Sequence, residues 1–164
     1  MKLGSLATAK VIGRITGPDG VNAGLAALTA PDNTLAAPLD QSQVRAQNAA
    51  ADLAERSEIT RYPALNVYCE KITNSLEEKF RSFSGKVLMT VDLRHSQDRL
   101  AGLQEALELY VDSITEALSA ARGDWGDGMY YAGGYEVSLG AIKRGGKNFV
   151  QAAKITFQLG VSRN

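Results

Sequence analysis

Cys69 is the only cysteine, so the chain cannot close an intrachain disulfide, which suits a reducing compartment. His95 is the only histidine. One histidine and one cysteine cannot supply the nitrogen and sulfur ligands of a usual zinc site. Carboxylates are plentiful, but no loop has the spacing of a calcium site, and the Asp124–Gly128 turn is too short for a calcium hand. No apolar run approaches the roughly 20 residues that cross a bilayer. Near the N-terminus Lys2, Gly4, Thr8 and Lys10 interrupt the apolar residues, so the uninterrupted core of a signal peptide is missing. The product is expected to stay in the cytosol where it is made. Neither charge sign is in excess, since 18 basic residues balance 18 acidic ones. That leaves no overall pull toward nucleic acid or membrane, only local patches.

What is present is enough for one domain with a real core: 164 residues, 45% of them apolar. The longest signal lies between Gln97 and Arg122. Leu100, Leu103, Leu107, Tyr110, Val111, Ile114, Leu118 and Ala121 recur there at steps of three and four. The spacing predicts one long helix with a single apolar stripe. Ser96 is the expected N-cap, and Gly123 the residue that stops the helix.

Residues 1–57 differ from the rest in being alanine-rich and holding three of the four prolines. Leu3, Leu6, Ile12 and Ile15 predict a first helix, broken at Gly17-Pro18-Asp19-Gly20. Val21, Leu25 and Leu28 predict a second, and Asp32-Asn33-Thr34 a turn. Asp40 to Arg56 is compatible with a third helix of thin apolar face. Such a region either completes itself against another molecule or packs as an ordinary helical subdomain on its own core.

From residue 58 to 164 the pattern changes to strands. Tyr62-Pro63 marks the entry, and Ala64–Thr73 reads as the first strand. Asn74 with Glu77 resembles a capping box for a short helix through Leu76, Phe80 and Phe83; a long hairpin loop is the competing reading. Val87, Met89, Val91 and Leu93 alternate with polar residues in a second strand. After the long helix, Met129–Ile142 reads as a strand interrupted by Gly133-Gly134, which predicts a bulge. Lys143–Asn148 reads as a hairpin around Gly145-Gly146. The last strand puts Phe149, Gln151, Ala153, Ile155, Phe157, Leu159 and Val161 on one face. The expected fold is therefore α+β: a four-stranded, mainly antiparallel sheet with the long helix across one face, plus the helical arm of residues 1–57.

Chemistry is sparse. Gly145-Gly146-Lys147 is no phosphate loop, because Asn148 follows where serine or threonine belongs and the segment joins two strands. His95, beside Asp92 and Asp98, lacks the converging partners of a catalytic base and reads as a structural or solvent-facing residue. Trp125, Tyr130, Tyr131 and Tyr135 are dense for so short a stretch. They read either as core packing or as a subunit interface, where such aromatics are enriched.

The run Trp125-Gly126-Asp127-Gly128-Met129-Tyr130-Tyr131-Ala132-Gly133-Gly134-Tyr135, followed by Gly145-Gly146-Lys147-Asn148-Phe149 and an alternating final strand, resembles small neck proteins of long-tailed bacteriophages. Tail terminator, or tail completion, proteins are the nearest in kind, and Tyr62-Pro63-Ala64 with the order of elements extends the resemblance over residues 60–161. The resemblance implies a virion protein without catalysis, cofactor or metal. It would form a homohexameric ring on the head-proximal end of the tail tube, end tube polymerisation, and join the tail to a head-closure or connector protein. Another neck ring component is the alternative, and a small ligand-binding domain a further one. On this reading the arm packs on a neighbouring subunit or ring, and Trp125, Tyr130, Tyr131 and Tyr135 form an interface. Lys143, Arg144, Lys147 and Asn148 face the lumen or an adjoining ring, with DNA only as passing cargo.

Overall fold

Two long strands carry the architecture. In the computed structural model, which describes residues 2–28, 36–49 and 60–164, β3 (Phe83–Gln97) and β7 (Asn148–Arg163) pair antiparallel along their whole length, from Phe83 opposite Arg163 to Gln97 opposite Phe149. The register stacks Val87 on Leu159, Met89 on Phe157, Val91 on Ile155 and Leu93 on Ala153. One face of the pair is thus apolar, as period-two alternation requires. β2 (Ala64–Asn74) flanks β3, and β5 (Met129–Leu139) flanks β7, both antiparallel.

Three short strands extend this core. β1 (Val44–Arg45) pairs parallel with Leu65 and Asn66. β4 (Gly123–Gly126) pairs with the start of β5. β6 (Lys143–Gly145) pairs with the start of β7, on the side that β5 occupies further along. The sheet order is β1-β2-β3-β7-β5-β4, with β6 also on β7. The expected four-stranded α+β layer is therefore corrected to a mixed α/β architecture around a curled, half-barrel sheet of seven strands. Two- to four-residue strands carry no periodicity to read, and Gly123–Gly126 has the composition of a turn.

Among the described residues three helices build the layer over the apolar face, two on the sheet and one on the long helix. α1 (Leu3–Thr16) buries Leu3, Ala7, Thr8, Val11 and Ile15 at four-residue steps. Gly4 lets it approach β2 closely, since a Cβ there would stand 3.1 Å from Cys69 Cβ. α2 (Val21–Leu28) buries Val21 and Leu25. α3 (Leu103–Ala120) buries Leu103, Leu107, Tyr110, Val111, Ile114 and Leu118 of the predicted stripe, and Ala106, Ser113, Thr115 and Ala117 as well. Those small residues are covered because α2 lies on them: a Cβ on Gly24 would meet Ser113 Cα at 3.3 Å. Each fully buried Val, Leu or Ile contributes about 1.5–3 kcal/mol. The apolar faces of α1 and α2 thus meet this chain's own α3 and strands, in one continuous core.

Several boundaries differ from expectation. The long helix starts at Leu103, not at Gln97 behind a Ser96 cap. Ser96 and Gln97 remain in β3 because Val150 and Phe149 pair with them, and Gly102 (φ +81°) sits at the N-cap. Leu100 is left outside and exposed. Asn74 caps no helix; residues 75–82 form the β2–β3 hairpin loop, where Asn74 Oδ1 accepts from the N–H groups of Leu76 and Ser84. The stretch from Asp40 holds one 3₁₀ turn, Gln41–Gln43, closed by a capping box, and then β1. The predicted turn at Asp32–Thr34 and the remainder of the third predicted helix, residues 50–56, lie outside the described residues. The bulge at Gly133-Gly134 is present: Ala132, Gly133 and Gly134 stand opposite Gln158 alone.

Candidate assembly surface

The four aromatic residues divide between core and surface. Trp125 and Tyr131 are buried and form an edge-on cluster with Phe157, with ring centroids 5.4–6.4 Å apart. Trp125 Nε1 donates to the Ala121 carbonyl at 2.6 Å, which fixes the end of α3 to β4. Tyr130 and Tyr135 are exposed. They lie on opposite faces: Tyr135 shares the row of Tyr131, Val137 and Leu139, while Tyr130 alternates with Tyr131.

The tip at Lys143–Asn148 is a two-residue hairpin, Gly146 taking φ +66°. Lys143, Arg144, Lys147 and Asn148 are all exposed. Arg144 rests over the Phe149 ring, 5.9 Å from its centroid, and so holds its charge at the end of the sheet.

His95 belongs to the packed face. It meets Tyr110 of α3 edge-on at 5.6 Å, and burial lowers its pKa below the ordinary imidazole value. Tyr110 in turn donates to the Ala37 carbonyl at 2.7 Å, and burial pushes its phenol up to about 12. His95 stands opposite Gln151, whose amide donates to the Gly140 carbonyl at 2.9 Å. His95 is thus half-buried beside Tyr110 on the packed face. On the other face, Asp92 and Arg94 form a buried ion pair at 2.8 Å, one residue apart on the same side of β3. Among the described residues no group of three or more His, Cys, Asp or Glu is placed to hold a metal ion, and no helix is long and apolar enough to cross a membrane.

The surface feature that stands out is on β5. Tyr135, Val137 and Leu139 share the face that α3 covers elsewhere, yet they are 43%, 38% and 49% exposed. An open groove of about 300 Å³ separates them from Val111, Asp112 and Thr115 of α3. The helix lies over β3 and β7, and its near rim here is Glu108 and Asp112. Beyond Tyr131 no strand pairs with the outer side of β5 among the described residues. An apolar row on an unpaired edge is the arrangement that isolated proteins avoid. No protein-family model matches the chain, and no curated protein matches it.

The sequence pattern does not mark Val137 and Leu139: their alternation with Glu136 and Ser138 reports a shared face and is silent on whether that face is covered. The bulge at Gly133-Gly134 is the one signal, since β4 pairs with β5 only before it.

Proposed function

We propose that this chain is a structural subunit of a bacteriophage neck, a tail-terminator-like protein. Copies of it would form a ring on the head-proximal end of the tail tube, end tube growth and join the tail to a head-closure or connector protein. The observation that carries the reading is the bare row Tyr135, Val137 and Leu139 beside α3. Its apolar area has no cover within the chain's described residues, and a neighbouring subunit supplies one. The resemblance over residues 60–161 gives the neighbour its identity and six as the copy number. The exposed Lys143, Arg144 and Lys147 at one end of the sheet suit a lumen crossed by DNA or a face toward an adjoining ring. The protein acts here through contact surfaces, within the virion.

Native mass spectrometry of the purified protein, with negative-stain images, tests this reading. A closed ring of six copies is the expected result, with the protein also found in purified virions. A monodisperse monomer at high concentration, or absence from virions, overturns it.

A further inference from the structure

Among the described residues the sheet has two open edges, and their chemistry is complementary. On one side, β5 offers Tyr135–Leu139. Gly140 donates its N–H to the Ala152 carbonyl of β7 at 2.8 Å. Backbone groups alternate in direction along a strand, so Glu136 and Ser138 also point toward β7. The N–H and C=O groups of Tyr135, Val137 and Leu139 therefore point outward. On the other side, β1 covers β2 only at Leu65 and Asn66, and no described strand pairs with the outer side of Cys69–Asn74. Ile72, 47% exposed, sits there on the helix-bearing face.

β2 and β5 run in opposite senses, because three antiparallel pairings separate them in the order β2-β3-β7-β5. A second copy placed beyond β5 in the same orientation brings its β2 alongside antiparallel, with the helix-bearing faces on the same side. Aligning Ile72 of that copy with Tyr135 sets two apolar side chains together on this face. The same register sets Lys71 opposite Glu136 on the other face. A two-fold pairing of β5 with β5 is also antiparallel, but it brings Glu136 toward Glu136 and the Glu108–Asp112 rims toward each other. Like charges oppose that arrangement.

We infer that the β5 edge of one copy takes up the β2 edge of the next, head to tail, so that the curled sheets continue from subunit to subunit. This rests on the ring reading above and supplies its contact. A heterologous contact of this kind closes when successive rotations complete a turn, and the curl of each sheet provides a rotation.

Val137→Pro removes one outward N–H and leaves the β7 ladder donors in place. Glu136→Lys opposes Lys71, and Lys71→Glu in the same chain restores the opposite-charge pair. Light scattering and native mass spectrometry read assembly, and far-UV circular dichroism reads the fold. Wild type is expected to assemble and Val137→Pro to be a folded monomer. Glu136→Lys is expected to weaken assembly about three- to fivefold, and the double variant to regain most of it. If wild type forms a ring and both single variants form it equally well, the edge contact is wrong and the ring reading stands. Weakening by Glu136→Lys that Lys71→Glu leaves uncorrected overturns the pairing with β2. A wild type that stays monomeric overturns both.

Discussion

Lys10 Nζ lies 2.8 Å from Asp127 Oδ2 and 2.7 Å from the Trp125 carbonyl oxygen. One ammonium thereby ties the middle of α1 to the β4–β5 turn, more than a hundred residues along the chain. Arg14, one helical turn on, lies over the Trp125 ring at 5.6 Å and strengthens the same contact.

Removing that ammonium is expected to loosen α1. Lys10→Met should lower Tm by about 4 °C at neutral pH. The hydrogen bond from Lys10, and then its charge, hold the Asp127 carboxyl below its ordinary value of 3.8. A carboxyl lowered in the folded state stabilises above its unfolded value and loses that contribution as pH falls through the folded one. The gap between wild type and Lys10→Met should therefore narrow below about pH 4. Thermal melts across pH 2–7 measure it, and a gap of constant size speaks against the pairing.

Tyr131 and Tyr135 should separate stability from assembly. Tyr131 is fully buried against Trp125 and Phe157. Tyr131→Ala is expected to cost about 3–5 kcal/mol in chemical denaturation. Tyr135→Ala should change the stability of the monomeric state by less than about 0.5 kcal/mol while weakening self-association. Equal effects of the two on unfolding would remove the distinction between core and surface.

Gly128 and Gly134 make a second contrasting pair. Gly128 adopts φ +73°, and a Cβ there would press on the Ser162 carbonyl oxygen of β7. Gly128→Ala is expected to cost about 2 kcal/mol or more, from left-handed strain and that clash together. At Gly134 a Cβ would meet nothing within 4 Å, and φ is not positive. Gly134→Ala should be neutral or slightly stabilising in the same denaturation experiment.

Charge reversal at the hairpin tip tests the neck reading without touching the core. Replacing Lys143, Arg144 and Lys147 with glutamate should leave Tm within about 2 °C, because all three are exposed. Infectivity of virions carrying the triple variant is expected to fall, with rings still formed. Unchanged infectivity counts against a lumen or inter-ring role for the tip.

The amino-acid sequence by itself determined the elements with repeated signal. The alternation in β7 and β3, the stripe of α3, the hairpin within Lys143–Asn148 and the Gly133-Gly134 bulge all follow from side-chain periodicity or from backbone freedom, which are local properties; the hairpin turns at Gly146-Lys147, one residue beyond the expected glycine pair. Tertiary structure alone decided which strands are neighbours. It kept Ser96 and Gln97 in β3 by pairing them with Val150 and Phe149, and it recruited β1, β4 and β6, too short to carry a pattern. It also sent Trp125 and Tyr131 inward and left Tyr135, Val137 and Leu139 bare. A period of two says that residues share a face; whether that face meets a helix, a groove or open solvent depends on how far the covering element reaches, and that is set by long-range packing.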